Sequence, residues 1–259
     1  MKLSTALGHL ALLTASLTDA AVVARPENGL LNKRANIQNP QNAGVFVYPP
    51  DGLSFTQIAA VLTIPSSVTV PDGAPAGNYY GSAWIGLDGD ANGATSLVQT
   101  GIRWNLVDNV LSWQTWYEWL PQAETDISDG SITIQPGDQF TLIIHVDSPT
   151  QVTISITDTT QNEAAQTYAV TAPEGSSVSG NTAEWTVENL HPSQNLNFAD
   201  FGVVTFASCS AQLSDGSYQY PPSGDDWYIV DDAGNQLNYV TVGDNTVTVQ
   251  YRPSGGSVG

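Results

Sequence analysis

Three stretches of this sequence place carboxyl, amide and indole side chains at alternating positions. Successive side chains of a β-strand point to opposite faces, so residues two apart share a face. The groups formed in this way are Gln99, Gly101 and Arg103; Gln114, Trp116 and Glu118; and Glu184, Thr186 and Glu188. A carboxyl group can act as a general acid or base, and an amide N–H can stabilise an oxyanion. These residue types suit hydrolysis, but by themselves they leave open whether Glu184 and Glu188 are simply solvated strand residues.

Motifs of other hydrolases and of metal sites are missing or incomplete. The chain has no His-Glu-x-x-His zinc motif and no Asp-Thr-Gly or Asp-Ser-Gly string of the pepsin type. Asp88, Asp90 and Asn92 have the spacing of a calcium loop, but Gln99 stands at its last position. An amide cannot supply the bidentate carboxylate that this position requires. We therefore predict no metal and no cofactor.

The first 34 residues have the features of a leader that is removed. Lys2 precedes an apolar run and small residues around Ala20, which is typical of a secretory signal. Lys33 and Arg34 then form a dibasic pair in a polar stretch, which is typical of an exposed processing site. We predict a signal peptide over residues 1–20, a short propeptide over 21–34 and one domain over 35–259. The protein is accordingly expected to be secreted and extracellular.

The charge of the chain limits its partners. It has 6 basic and 25 acidic residues, a formal net charge of −19, and removal of residues 1–34 leaves 2 − 23 = −21. Such a charge disfavours nucleic acid, and no stretch after the leader approaches the roughly 20 apolar residues of a membrane span. We expect a monomer with neither of these partners. Near pH 3 most carboxyls are neutral, so the composition suits an acidic medium, although negative charge also serves solubility.

The remaining sequence is typical of an all-β domain. Segments rich in Val, Ile, Thr, Tyr and Trp alternate with Gly, Pro, Asn and Asp, which predicts an antiparallel sandwich or barrel. The predicted strands are 44–48, 57–64, 82–88, 96–104, 110–119, 131–134, 139–146, 151–158, 166–170, 183–190, 201–206, 236–240 and 245–251. Cys209 is the only cysteine, so there is no intramolecular disulfide. Its apolar surroundings predict a small buried hydrophobe.

Four strings of the sequence resemble the fungal glutamic peptidases, the eqolisins. They are Ala83-Trp84-Ile-Gly86-Leu-Asp88-Gly89-Asp90; Leu97-Val-Gln99-Thr-Gly101-x-x-Trp104; Trp116-Tyr117-Glu118-Trp119-x-Pro121; and Ala183-Glu184-x-x-x-Glu188. They follow the order of the family at compatible separations. The similarity extends from about Gln41 to Tyr251.

The resemblance implies a fold and a pair of catalytic residues. The expected fold is a sandwich of two bent antiparallel sheets, concanavalin-like or jelly-roll-like, with a substrate cleft on the concave face. Gln99 and Glu188 match the family's catalytic pair. Side chains similar to Trp84, Asp88, Trp116 and Glu118 line its cleft, so these four are substrate-side candidates.

The matched pair suggests a division of labour in an acid-active, pepstatin-insensitive endopeptidase acting on proteins or peptides. Glu188 would take a proton from water and return it to the leaving amine, and Gln99 would donate to the oxyanion. Ionisation of Glu188 near pH 3 would require a pKa below its usual range, which hydrogen bonds from Gln99 or other donors could provide.

Several residues depart from the family pattern around this pair. Asn42 replaces a tryptophan near the mature N-terminus, Arg103 and Gln114 each replace an aspartate, and Asn189-Leu190 replaces an acidic-aromatic pair. The disulfide cysteines are also absent. These changes surround the pair without touching it, so we expect altered specificity, with an inactive paralogue as an alternative.

A function of another class also fits the residue types. A carbohydrate-binding module could use Trp113, Trp116 and Trp119, and a glycosidase could pair Glu118 with Glu188. A retaining glycosidase needs its carboxyl groups about 5 to 5.5 Å apart. The Glu-x-Asp-x-x-Glu string that is common in β-sandwich glycanases is absent from this sequence.

Overall fold

Short strands joined by turns run through nearly all of the chain that the structure describes. The structure is a computed structural model, and it describes residues 35–89, 96–127, 132–190, 197–231 and 233–252. Within these ranges the strands are β1 (Asn36–Asn39), β2 (Asn42–Val47), β3 (Phe55–Thr63), β4 (Tyr79–Leu87), β5 (Val98–Val107), β6 (Val110–Trp119), β7 (Thr125–Ile127), β8 (Gln139–Ser148), β9 (Gln151–Asp158), β10 (Gln166–Thr171), β11 (Ala183–Glu188), β12 (Asn197–Phe198), β13 (Val203–Leu213), β14 (Tyr218–Gln219), β15 (Asp225–Ile229), β16 (Asn238–Val242) and β17 (Val247–Tyr251). A 3-10 turn spans Pro221–Ser223. The all-β prediction is confirmed.

These strands form two sheets. A nine-stranded sheet has the order β1-β15-β2-β11-β4-β5-β6-β7, with β12 paired to β4. An eight-stranded sheet has the order β10-β9-β8-β3-β13-β17-β16, with β14 paired to β13. Pairing is antiparallel except where β1 joins β15 and β12 joins β4.

One core lies between the two sheets, because each contributes alternate residues to it. On β5 the side chains of Val98, Ile102 and Trp104 belong to this core, whereas Gln99, Gly101 and Arg103 do not. Cys209 of β13 is also a fully buried member of the core and is not part of a disulfide. Burial raises the pKa of its thiol, which confirms the prediction of a small buried hydrophobe.

Strand preference read from the local sequence was wrong in two ways: one predicted strand does not form, and some strands that do form were not predicted. Ile132–Ile134, part of a predicted strand, lies in none. Conversely, β1 and β15 were not predicted, because the Asp225-Asp226 pair after two prolines is typical of a loop. Both are paired by tertiary neighbours, β1 with β15 and β15 with β2.

Some predictions fall outside the described residues. The signal peptide and propeptide (1–34) and part of the calcium-like segment (90–93) belong to this group. Within residues 34–259, those that the structure describes form one compact unit by their contacts. Among the described residues, no helix has the length and apolar character needed to cross a membrane.

Candidate active site

The face of the nine-stranded sheet that points away from the core carries all three groups of candidate residues. We call it the polar face. Strand register aligns its side chains in rows that cross the sheet. The Gln99 row contains Phe46, Glu184, Gly86, Gln99 and Glu118; the middle row contains Gly44, Thr186, Trp84, Gly101 and Trp116; and the Glu188 row contains Asn42, Glu188, Ser82, Arg103 and Gln114.

Gln99 of β5 is held in one orientation by Glu118 of β6. Its side-chain Nε2 donates to Glu118 Oε2 at 2.6 Å, and the residue is 6% exposed. Its Oε1 is buried and has no hydrogen-bond partner. Hydrogen bonds to a carboxylate are stronger than neutral ones, so this contact fixes which end of the amide faces Glu118. The carbonyl end is then available as an acceptor.

Glu188 is the last residue of β11, and Trp84 of β4 is its hydrogen-bond partner. The indole Nε1 donates to Glu188 Oε2 at 3.0 Å. The pKa of Glu188 is raised from 4.5 to about 7, and the largest cause is desolvation by burial. The hydrogen bond from Trp84 lowers this pKa, whereas the charges of Glu118 and Glu124 raise it. The Ser82 hydroxyl lies near enough to lower the pKa as well, although its geometry falls short of a hydrogen bond.

The expectation that the pKa of Glu188 lies below its usual range is therefore wrong, although the hydrogen bond from Trp84 does lower it. Gln99 donates to Glu118 and not to Glu188, so the amide does not stabilise the ionised form of Glu188. Burial penalises a charge more than the one indole N–H offsets. Glu188 binds its proton through the acidic range and up to about pH 7.

Gln99 and Glu188 face the same side of the sheet but do not touch. Strand β4 lies between them, and their partners on it, Gly86 and Ser82, are four residues apart. Strand spacings of about 4.8 Å and rises of about 3.3 Å per residue place their backbones roughly 10 Å apart across the sheet and 13 Å along it. Two long side chains can thus approach a peptide group from opposite sides.

Trp84 and Gly101 occupy the middle row between the two candidates. A Cβ on Gly101 would lie 2.2 Å from the Ala83 carbonyl oxygen and 2.6 Å from Trp84 Cβ. Glycine at this position is what lets β4 and the Trp84 side chain pack against β5. Packing thus explains the glycine of the Gln-Thr-Gly string, separately from the role of the Gln99 amide.

The four substrate-side candidates occupy different environments. Trp84 contacts Glu188, and Glu118 accepts from Gln99. Trp116 shares the polar face, is 1% exposed, and its Nε1 has no hydrogen-bond partner. With Trp116 and Gln99 this buried, the structure does not show an open cleft, and the cleft remains a prediction.

Asp88, the fourth candidate, lies just after β4 with a positive φ of 71°. Its Oδ2 accepts from the backbone N–H groups of Ser179 and Gly180 at 2.6 and 3.2 Å, and its Oδ1 accepts from that of Asn181 at 2.6 Å. These residues precede β11, which carries Glu188. The contacts support a role for Asp88 in positioning β11.

A tryptophan platform for carbohydrate is not formed. Trp119 is part of the core, and Trp113 packs against it, whereas Trp116 faces the opposite side. The three rings therefore do not share a surface. This arrangement removes the basis of the binding-module alternative.

Sequence reasoning missed an ionic cluster at one side of the polar face. The Arg103 guanidinium contacts the carboxylates of Glu124 and Asp126, the latter at 3.0 Å. Desolvation raises the pKa of Glu124 to about 7, against the lowering effect of Arg103. Arg103 stood out in the sequence as a departure, but its partners follow the end of β6, and only the tertiary fold places them beside it.

Polar atoms without partners concentrate on this face. Buried side-chain atoms of its residues that make no hydrogen bond include Asn42 Oδ1, Ser82 Oγ, Gln99 Oε1, Trp116 Nε1 and Thr186 Oγ1. Buried polar groups are nearly always satisfied, and exceptions call for a functional explanation. Donors and acceptors of this kind match the N–H and C=O groups of a peptide. Among the described residues no group of His, Cys, Asp and Glu is arranged to hold a metal ion.

Comparisons with known proteins give matches over most of the chain. The model of the Peptidase A4 family matches residues 40–251. Aspergillopepsin-2 of Aspergillus niger is 29% identical over 236 residues, which cover 85% of this chain and 81% of that protein. The crystal structure of aspergilloglutamic peptidase from Aspergillus niger matches with a TM-score of 0.61 and 33% identity, covering 67% of this chain and 99% of that one. A crystal structure of scytalido-glutamic peptidase with a transition state analog inhibitor matches with a TM-score of 0.68 and 23% identity, covering 82% of this chain and 98% of that one.

Proposed function

The chain belongs to the Peptidase A4 family, and from this premise we propose that it is a secreted acid endopeptidase in which Gln99 and Glu188 hydrolyse peptide bonds. The observation that carries the proposal is the set of buried, unpartnered polar atoms on the face shared by the two residues. A peptide that displaced the side chains covering these atoms would supply the missing hydrogen bonds. The same face holds the carboxyl and amide groups that hydrolysis requires.

The first chemical step would use Glu188 in its protonated form. Its Oε2 accepts from Trp84, which leaves Oε1 as the position for the proton. Oε1–H donates to the carbonyl oxygen of the substrate while Oε2 takes a proton from the attacking water, and a C–O bond forms. The result is a neutral tetrahedral diol and a Glu188 that is still protonated. Glu188 thus combines general acid and general base catalysis.

Gln99 would hold the water and stabilise the tetrahedral carbon's oxygens. Its unpartnered Oε1 can accept from the water, and the second hydrogen of Nε2 can donate to a diol oxygen. Such a donor contributes typically about 3 kcal/mol of transition-state stabilisation. In the second step Glu188 protonates the leaving nitrogen, the C–N bond breaks, and a diol O–H returns a proton to Glu188. The two steps balance without any further reactant.

The first described residues support processing at Arg34–Ala35. The Ala35 backbone N–H donates to Asp225 Oδ1 at 2.9 Å, and β1 continues from there along β15. Hydrolysis of the Arg34–Ala35 bond would turn this N–H into an α-ammonium group facing a carboxylate. Further along the chain, the backbone carbonyl oxygen of Gln41 accepts from the backbone N–H of Asn189 at 2.7 Å, and Asn189 is the residue after Glu188. A leader removed in this way fits a secreted zymogen. A monomer without nucleic-acid or membrane partners remains part of the proposal, and the excess of acidic residues favours the absence of nucleic acid.

Digestion of a denatured protein at pH 3 with pepstatin present tests the proposed function. The sequence lacks the Asp-Thr-Gly and Asp-Ser-Gly strings of pepsin-type enzymes, so we expect hydrolysis to continue at an unchanged rate. A Glu188→Gln variant prepared in parallel should produce no fragments. Full inhibition by pepstatin, or fragments from the variant, would contradict the proposal.

A further inference from the structure

Arg103 is a permanent cation on the polar face, in the same row as Glu188. It pairs with Ser82 of β4, which pairs with Glu188 of β11. Of the six basic residues in the chain, only Arg103 and Arg252 follow the dibasic site. Arg252 lies after β17 with its guanidinium 5.2 Å from the ring centre of Tyr239. Of the two arginines that the structure describes, Arg103 is the one that shares the face of the proposed reaction centre.

The guanidinium of Arg103 lies among acidic side chains. Its guanidinium contacts Glu124 and Asp126, and the charge of Glu118 acts on Glu124. Gln114, its partner on β6, donates from Nε2 to the carbonyl oxygens of Thr115 and Ile127, both at 2.9 Å. The Arg103 side chain is 23% exposed, so part of it can be reached by a bound molecule.

In acid Glu124 loses its charge, whereas the guanidinium of Arg103 does not. Glu124 is protonated below about pH 7 because burial raises its pKa, and the Asp126 side chain is 49% exposed, so a ligand can displace it. The other carboxyl groups of the polar face include Glu118, Glu184 and Glu188, and the charge of Glu118 acts on both Glu124 and Glu188. An arginine fork relieved of carboxylates binds planar or tetrahedral oxyanions.

We propose that Arg103 is a specificity-determining residue that binds an oxyanion of the peptide substrate close to the scissile bond. The oxyanion must keep its charge in acid, as a phosphate monoester on a serine does and as a chain-terminal carboxylate does in part. Two strand spacings separate Arg103 from Glu188, roughly 10 Å, and an extended peptide advances about 3.3 Å per residue. The anion therefore lies within about three residues of the cleaved bond. This inference rests on the proposed function of the same face.

Matched peptides measure the preference directly. An internally quenched peptide with one serine is prepared with that serine at each of the three positions on either side of the cleaved bond, unmodified and phosphorylated. A second pair ends in a carboxylate or an amide three residues after the bond, which separates the two sources of the oxyanion. At pH 4 the wild type should show a kcat/KM at least about tenfold higher for one anionic peptide than for its neutral match, the scale of a charge-assisted hydrogen bond.

Variants assign that ratio to Arg103. In Arg103→Gln the ratio should fall to near one, in Arg103→Lys it should be intermediate because the fork is lost, and in Arg252→Gln it should stay at the wild-type value. A purely structural role of the ion pairs would change both peptides equally and leave the ratio unaltered. An unchanged ratio in Arg103→Gln, or no preference at any position in the wild type, would overturn the inference.

A binding measurement separates this inference from the proposed chemistry. Fluorescence anisotropy gives the Kd of the phosphorylated and unmodified peptides for Glu188→Gln and for Glu188→Gln with Arg103→Gln. We expect the phosphopeptide to bind at least about tenfold more tightly to the first protein and equally to the second. If the wild type cleaves no peptide while this difference is found, the proposed function fails and the anion site stands. If the wild type cleaves peptides but the two proteins show no difference in Kd for the phosphopeptide, the anion site fails and the proposed function stands.

Discussion

The two sheets of this protein treat their outer faces differently. On β9 of the eight-stranded sheet, Val152, Ile154 and Ile156 are fully buried, while the intervening Thr153 and Ser155 are partly exposed. On β11 of the nine-stranded sheet, Trp185 and Val187 are buried on the core side, but Glu184 and Thr186 are also 0% exposed on the polar face. Antiparallel sheets commonly have one solvated face, so the eight-stranded sheet shows the ordinary pattern.

The difference indicates where the fold accommodates function. Small hydroxyl residues on the outer face of the eight-stranded sheet can exchange hydrogen bonds with water. On the polar face, carboxyl groups are desolvated instead, and the pKa values of Glu124 and Glu188 rise to about 7. Strongly shifted carboxyls and unpartnered polar atoms reduce stability, and such features cluster at functional sites.

The largest expected difference between the two faces is in catalysis. Glu188→Gln and Gln99→Glu should each reduce turnover by at least about 100-fold with an unchanged far-ultraviolet dichroism spectrum. Glu188→Gln removes the group that carries protons. Gln99→Glu removes the N–H donor and sets a second carboxyl beside Glu118, so that the two would share a proton. Peptide hydrolysis at pH 4 measures the loss.

His145 on the outer face provides the control for these variants. It is exposed on β8 of the eight-stranded sheet, and His145→Gln should hydrolyse peptides as the wild type does. Near-normal turnover in a well-folded Glu188→Gln would show that the pair has been misassigned. Loss of activity in His145→Gln would point to a histidine base.

An intermediate effect is expected from pH. The carboxyls of Glu188 and Glu124 have pKa values near 7 in the folded protein against 4.5 ordinarily. Below pH 4.5 both states hold these protons and the shifts have no effect; between 4.5 and 7 the folded state binds more protons, so its stability falls as pH rises. We expect the Tm to fall by at least about 5 °C over this window. Differential scanning calorimetry at constant ionic strength measures it.

Activity should follow the protonated form of Glu188 in the same direction. It should be highest in acid, below about pH 5, and lost as pH rises through about 7, because the ionised carboxyl cannot donate to the substrate carbonyl. Glu188→Gln should also reduce the fall of the Tm between pH 4.5 and 7. A bell-shaped optimum centred near pH 7, or a Tm that rises between pH 4.5 and 7, would contradict the roles given to these carboxyls.

The smallest effect is expected at the edge of the polar face, where Asp225 pairs with Phe46 of β2 in the Gln99 row. In protein that begins at Ala35, the α-ammonium group and Asp225 would form an ion pair worth about 0.2 to 1 kcal/mol. Asp225→Asn should therefore lower the Tm at pH 5.5 by only about 0.4 to 4 °C. Acetylation of the Ala35 amine should have the same effect in the wild type and none in the variant.

Asp244→Asn is the matched control for that charge. Asp244 is exposed in the turn between β16 and β17 of the other sheet, and its neutralisation should leave the Tm unchanged. N-terminal sequencing of secreted protein identifies the processed end. A first residue within 22–31 would remove the α-ammonium from the site and with it the expected difference between acetylated and free protein.

Much of the fold and the composition of the site could be predicted from the sequence because they depend on local alternation. A period of two places Gln99 and Arg103 opposite Val98 and Ile102 whatever the surrounding strands are, and the structure confirms this division. β15 escaped prediction because its pairing with β1 and β2 outweighs the loop-like character of Asp225 and Asp226. The resemblance to glutamic peptidases supplied the candidate pair, which alternation alone could not distinguish from Glu184.

What only the tertiary structure decided is the set of neighbours of each polar group. The sequence does not show that Gln99 donates to Glu118, that Trp84 donates to Glu188, or that Asp88 binds the segment before β11. These contacts join residues 19, 104 and 93 positions apart. A side chain's face is fixed by its own backbone, whereas its partners and its desolvation depend on which strands lie beside it. For this reason the sequence by itself determined the face on which Glu188 lies, and the packing of β4, β6 and β11 determined its pKa.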